Sequence, residues 1–281
     1  MTTKDPLLQA AAQVLARSNA LVIGAGAGMG VDSGLPDFRG RHGFWKAYPA
    51  AQKLGLSFSE LANPAWFFKD AHLAWGFYGH RSNLYRATQP HVGFSILLEW
   101  AERMPLGAFV ITSNVAGHFQ KAGFHEDSVL EIHGSLNWWQ CTDLCTTEPF
   151  PASTETITVD EERLHAQPPL PSCPHCGALA RPNILMFGDS EWISDRSDAQ
   201  GRRFASWLGK VPLGTLAVVE LGAGLSIATI RRGCENLIDV KRARLIRINP
   251  GDHETPPGHL GINGGAAETL KALDELWNSR P

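Results

Sequence analysis

The chain of 281 residues has no excess of basic charge: 25 Lys and Arg stand against 28 Asp and Glu, for a formal charge of −3. Without a broad basic field, nucleic acid is not expected as a partner. No apolar run approaches the roughly 20 residues of a membrane-spanning helix, so no membrane partner is expected either. The N-terminus lacks the basic start and apolar block of a secretion signal. It carries instead Asp5 followed by Leu7, Leu8, Ala11, Val14 and Leu15 at helical spacing. A soluble, cytoplasmic protein is the expectation. Internal repeats and low-complexity tracts are absent from the sequence.

Cysteine is scarce, with five residues. Four of them form two close pairs, Cys141-x-x-x-Cys145 and Cys173-Pro-His-Cys176, and Cys234 stands alone. In a reducing compartment such pairs point to zinc rather than to disulfides. A short Cys-x-x-Cys turn aims two thiolates at one point, and four sulfurs close the coordination sphere. One structural zinc per chain is therefore expected on Cys141, Cys145, Cys173 and Cys176, with no open position for catalysis. His175 is a bystander on this reading, and Cys234 a core residue.

What the sequence does have is an alternation of elements. A helix over about residues 6–18 leads into a β-branched run at 20–24. Similar runs return at 108–112, 216–221 and 244–248. Their spacing predicts an α/β fold with a mostly parallel, Rossmann-like sheet covered by helices on both faces. Residues 41–86 are dense in aromatics, among them Phe44, Trp45, Trp66, Trp75, Phe77 and Tyr78, and read as a helical lid segment. The expected organisation assigns 1–40, 87–140 and 181–281 to the nucleotide-binding domain, 41–86 to the lid and 141–180 to the zinc module. Residues 148–171 read as an excursion between the cysteine pairs.

The most informative stretch follows the first strand. Residues 26–40 read GAGMGVDSGLPDFRG. Clustered glycines at a strand end let the backbone approach a pyrophosphate where a side chain would clash. Downstream come Thr112-Ser113-Asn114-Val115-Ala116-Gly117-His118-Phe119, then Glu131-Ile132-His133-Gly134, then Arg181-Pro182-Asn183-Ile184-Leu185-Met186-Phe187-Gly188-Asp189 after the cysteines. In content and order these motifs resemble those of the sirtuins, the NAD-dependent protein lysine deacylases, from about residue 18 to 275.

The resemblance implies NAD as cofactor and an acyl-lysine protein or peptide as substrate; it leaves the oligomeric state open. Gly26, Ala27, Gly28, Gly30, Asp37, Phe38 and Arg39 would form the first cofactor loop. Ser113 and Asn114 would line the nicotinamide side, and Gly222, Ala223 and Gly224 would contact phosphate. Asn249 would meet the adenosine ribose. His133 would be the general base on a ribose hydroxyl, a role suited to a group titrating near neutrality. Phe187, Gly188 and Asp189 would flank the substrate, whose backbone adds as a strand. The implied reaction transfers the acyl group to ADP-ribose and frees nicotinamide and lysine.

Four departures stand out. Ala116 occupies the position of a family aspartate that holds the nicotinamide end of NAD, so catalysis should be severely weakened. This alanine is equally consistent with a natural pseudoenzyme and with an introduced substitution. Gly30 replaces a serine, Ser113 replaces a glutamine, and Ala223-Gly224 have lost two hydroxyls. An ADP-ribosyltransferase or NAD-cleaving enzyme, and a non-catalytic binder of NAD or ADP-ribose, remain alternatives. Tyr78 and Arg81 match the Tyr-x-x-Arg of family members that prefer succinyl- or malonyl-lysine. One helical turn apart, a phenol and a guanidinium can bind a terminal carboxylate. Deacetylation, desuccinylation and demalonylation are all open on the sequence.

Overall fold

The computed structural model describes residues 5–36 and 40–279. The expected cofactor-loop residues Asp37, Phe38 and Arg39 lie outside them. The strands are β1 (Ala20–Ala25), β2 (Ala108–Thr112), β3 (Val129–Glu131), β4 (Gly134–Cys141), β5 (Phe150–Pro151), β6 (Val159–Asp160), β7 (His165–Ala166), β8 (Ala180–Ile184), β9 (Leu216–Leu221), β10 (Arg244–Ile248) and β11 (Leu260–Ile262). The helices begin with α1 (Pro6–Ala16), α2 (Gly40–Ala47), α3 (Pro49–Lys53), α4 (Phe58–Leu61), α5 (Trp66–Lys69) and α6 (Ala71–Ala87). They continue with α7 (Val92–Arg103), α8 (His118–Lys121), α9 (Asp195–Lys210), α10 (Thr229–Lys241) and α11 (Ala266–Asn278).

Local chemistry sets the first of these elements. Asp5 caps α1 by accepting from the Leu7 amide at 2.8 Å, and Pro6 supplies a preset φ at the first helical position. The helix buries Leu8, Ala11, Ala12 and Leu15. In β1 and β9 every residue is buried, as expected for strands covered on both faces.

Six parallel strands pair in the order β11-β10-β9-β1-β2-β3. Leu21 and Ile23 face a core shared with α1, α7 and α11, whereas Ala20 and Val22 face one shared with α9 and α10. Cys234 lies in the second of these cores, against Gly24: a Cβ added at Gly24 would come within 2.3 Å of its Sγ. Next to it, buried Glu220 on β9 pairs with Arg247 on β10 at 2.5 Å, and Arg247 also reaches Glu235 at 2.7 Å.

A third core joins α2 to α6 with β4, β7 and β8, around Phe44, Trp75, Phe77, Trp139, Cys141 and Cys173. The aromatic segment and the cysteine module thus share one interior. Within it, Trp75 donates its indole N–H to the Ala180 carbonyl at 2.9 Å. The stretch between the cysteine pairs is more structured than its composition suggests. Its β6–β7 hairpin lies directly on α6, where a Cβ at Gly76 would stand 1.8 Å from the Leu164 carbonyl oxygen. Among the described residues, no helix is long and apolar enough to cross a membrane.

Candidate active site

Strand order reverses at β1, whose neighbours β2 and β9 lead the chain to opposite edges of the sheet. Such a switch point opens a crevice beyond the carboxyl ends of the strands. Here that crevice is a cleft of about 720 Å³ between the sheet and the smaller aromatic lobe.

Its floor is made of backbone. The Gly26 amide donates to Leu221 O at 2.9 Å, and the Gly28 amide to Gly222 O at 3.0 Å. A Cβ at Gly26 would sit 2.6 Å from Gly222 O, and one at Gly222 would sit 2.4 Å from the Gly28 carbonyl carbon. Gly222 also takes a positive φ of 59°. Only glycine lets these two loops touch, and the same bareness admits a diphosphate. The 222–224 loop is braced from behind: Ala223 O accepts from Asn249 Nδ2 at 3.1 Å and from Arg231 Nη2 at 3.3 Å. Gly26, Ala27, Gly28, Gly30, Gly222, Ala223 and Gly224 all line the cleft. Asn249 is fully buried behind the loop and is not among the lining residues.

The sheet end supplies the polar wall. Asn114 donates from Nδ2 to Gly26 O at 2.8 Å, while its amide donates to Thr112 Oγ1 at 3.0 Å. These bonds tie the β2 turn to the glycine loop. Ser113, Ala116 and His133 line the same wall. Burial lowers the His133 pKa below the ordinary value, outweighing the opposing influence of the Ser113 backbone. Glu131, fully buried two residues earlier, also lines the cleft and pairs with Arg196 at 2.6 Å.

The small lobe closes the other side. Tyr78, Arg81 and Tyr85 from α6 reach the cleft together with Phe58 and Ala62. The Arg81 guanidinium lies 5.2 Å from the Phe77 ring centroid and 5.3 Å from that of Tyr85. Burial pushes the Tyr78 phenol up to about 12, against the opposing pull of Arg81, so it keeps its proton at neutral pH. At the mouth, Phe187 is 40% exposed and its amide donates to Ala62 O at 3.0 Å. Gly188 and Asp189 are not among the lining residues. The Asp189 carboxylate turns inward to a buried pair with Arg181 and accepts from the Met186 and Glu191 amides, so it fixes the loop rather than facing the cleft.

The four cysteine sulfurs lie within 4.8 Å of one another, with Cys141–Cys176 and Cys145–Cys173 each at 3.6 Å. Tetrahedral zinc with bonds of about 2.3 Å places its sulfurs about 3.8 Å apart, so the set fits that ion. All four positions are protein ligands, and the Gly177 amide donates to Cys173 O at 2.9 Å in the turn of the knuckle.

Tyr85 and Arg231 join the site from outside its sequence motifs, and Glu131 joins it from the motif that carries His133. For Tyr85 a signal existed, since it stands one helical turn beyond Arg81. Arg231 owes its place to tertiary contacts.

A parallel sheet with a glycine-floored cleft at its switch point, a buried imidazole on one wall and a Cys₄ module in the facing lobe is the arrangement of a dinucleotide-binding class of α/β protein. The Sir2 family profile matches residues 26–215, and the chain belongs to that family. It is 31% identical over 264 residues to NAD-dependent protein deacylase 1 of Archaeoglobus fulgidus, covering 93% of this chain and 94% of the relative. It is 32% identical over 274 residues to the NAD-dependent protein deacylase of Deinococcus radiodurans, covering 96% and 98%. Among solved structures, a Sir2 homologue in complex with NAD aligns with a TM-score of 0.69 at 28% identity, over 95% of this chain and 92% of that one. A mutant Sir2 homologue bound to ADP-ribose also aligns at 0.69, with 29% identity and coverage of 98% and 96%.

Proposed function

We propose that this chain is an NAD-dependent protein lysine deacylase of the cytoplasm, slowed at the chemical step by Ala116 and built to accept an acyl group ending in a carboxylate. One observation carries the reading. A single cleft is lined by the glycine loops and His133 on one side and by Tyr78 and Arg81 on the other. Its floor is the bare backbone of two glycine loops that line the cleft side by side, the kind of surface that a diphosphate can approach closely.

When bound, NAD would supply the glycosidic bond that releases nicotinamide and the ribose hydroxyl that accepts the acyl group. The backbone of Gly26, Ala27, Gly28 and Gly30, with that of Gly222, Ala223 and Gly224, would hold the diphosphate. Asn249 and Arg231 keep the second loop in place from behind. Ser113 and Asn114 would orient the nicotinamide end. His133 would take the hydroxyl proton on a ring nitrogen. Asp37, Phe38 and Arg39 are assigned to the cofactor loop by family position. Phe187, with the backbone of Gly188 and Asp189, would border an acyl-lysine peptide entering at the mouth. The four thiols would hold a structural zinc away from this chemistry.

Mass spectrometry of the products from NAD with acetyl- and succinyl-lysine peptides tests the proposal, using this chain and its Ala116→Asp form. O-acyl-ADP-ribose is the expected product, with succinyl preferred. Its absence from both forms would overturn the reading. Free ADP-ribose or a modified protein would then favour NAD cleavage or transfer. The second reading, a non-catalytic NAD or ADP-ribose binder, is favoured by Ala116 and predicts no turnover even after Ala116→Asp.

A pH dependence follows from burial. Because the folded environment lowers the His133 pKa, the imidazole remains the neutral, proton-accepting form at pH 7. The acid limb of kcat/KM of the unsubstituted chain should therefore fall below about pH 6.5, the ordinary value for imidazole. A limb centred above that value would count against His133 as the base.

A further inference from the structure

Tyr85 lies on α6 one turn beyond Arg81, where its phenol oxygen accepts from Arg81 Nε at 3.2 Å and from Nη2 at 2.9 Å. The residue is only 7% exposed, and it lines the cleft. Its backbone is anchored as well, with Tyr85 O lying 3.2 Å from Nε2 of the buried His118. A phenol has one proton to give and an oxygen that accepts. Two guanidinium N–H groups occupy the accepting side. What remains to give is the O–H, on a residue that lines the cleft.

The neighbouring groups give the same sign. The guanidinium carries donors only, and buried Tyr78 retains its phenolic proton. A wall of donors is matched by a ligand that is all acceptor, namely a carboxylate. The Tyr85 contact also covers the Nε–Nη2 edge of Arg81. A carboxylate cannot pair side-on with that edge unless the phenol leaves. The phenol itself therefore takes the place of one guanidinium donor, and the adjacent positive charge strengthens it as a donor.

We propose that Tyr85 is a specificity-determining residue of the acyl pocket, donating its phenolic hydrogen bond to the terminal carboxylate of an acidic acyl-lysine while holding Arg81 by its Nε–Nη2 edge. This rests on the acidic-acyl reading of the same pocket. Binding tests it without any need for turnover. Dissociation constants of succinyl-lysine and acetyl-lysine peptides of one sequence are measured by calorimetry on the full chain and on Tyr85→Phe, which keeps the ring and its packing. The unsubstituted chain should bind the succinyl peptide more tightly. Tyr85→Phe should weaken that peptide roughly tenfold or more, the usual loss for a hydrogen bond to a charged acceptor. The acetyl peptide should change by no more than about twofold, since its methyl end offers no acceptor. Equal affinity of the unsubstituted chain for both peptides would overturn the acidic-acyl reading, and the role of Tyr85 with it. A succinyl preference that survives Tyr85→Phe, or an equal loss for both peptides, would overturn the role of Tyr85 alone.

Discussion

Restoring a carboxylate at residue 116 should raise kcat on acyl-lysine peptides by roughly 10²- to 10³-fold, the span expected when a preorganised polar group is returned to a reacting centre. Ala116 lines the cleft directly after Asn114 and Val115, in the turn that leaves β2. Gly117 follows at a φ of 67°, so the direction of the turn is set independently of the side chain before it. Ala116 is half-buried and packs against the aromatic core of the small lobe. Ala116→Asp would thus place charge at the seam between the two halves of the cleft, where water is partly excluded and charge acts strongly. The same placement should lower stability by about 1 kcal/mol, a typical cost for a substitution at such a site. Steady-state kinetics with saturating NAD and peptide, together with a thermal melt, would measure both effects. Unchanged turnover in a variant that still binds NAD would show that Ala116 is not what limits this chain.

The parts of the site that could be read in the sequence are those whose chemistry is confined to a few contiguous residues. Gly26 had to be bare because the backbones of two loops meet there. The cysteine pairs had to be short because two sulfurs must reach one ion. The central strands at 20–25, 108–112, 216–221 and 244–248 were visible because a strand buried on both faces is apolar at nearly every position. What lay beyond reach depended on partners distant in the chain. β8 contains Arg181-Pro182 and has no alternation of its own, and it becomes a strand by pairing with β4. Asn249 and Asp189 have polar side chains at positions where a ligand could be expected. Each is spent inside the protein, one on the Ala223 carbonyl and the other on Arg181. Conversely, Tyr85 reads as an ordinary core aromatic until its oxygen is seen against Arg81.

Loss of the metal should be the largest single perturbation of stability. In chains that fold around zinc, structural sites contribute on the order of 10 kcal/mol of apparent binding energy, which is linked to folding. Cys141 and Cys173 are buried in the same core as Trp75, Tyr78 and Trp139, so an ion held by them would be tied to the lobe that carries the acyl pocket. The parallel sheet is packed separately, between its own two cores. Cys173→Ser should therefore do more than reduce bound zinc from one ion per chain. It should loosen α6 and the β4–β8 pairing while the sheet persists, giving two thermal transitions in place of one. Acyl-peptide binding should be lost, whereas ADP-ribose, held by the sheet-side glycine loops, should still bind. Elemental analysis, hydrogen exchange across residues 71–87 and calorimetric titration with each ligand would follow the three consequences separately. If Cys173→Ser melts as a single transition close to that of the unsubstituted chain, the metal does not hold this lobe together. The shared aromatic interior would then be sufficient to keep the pocket.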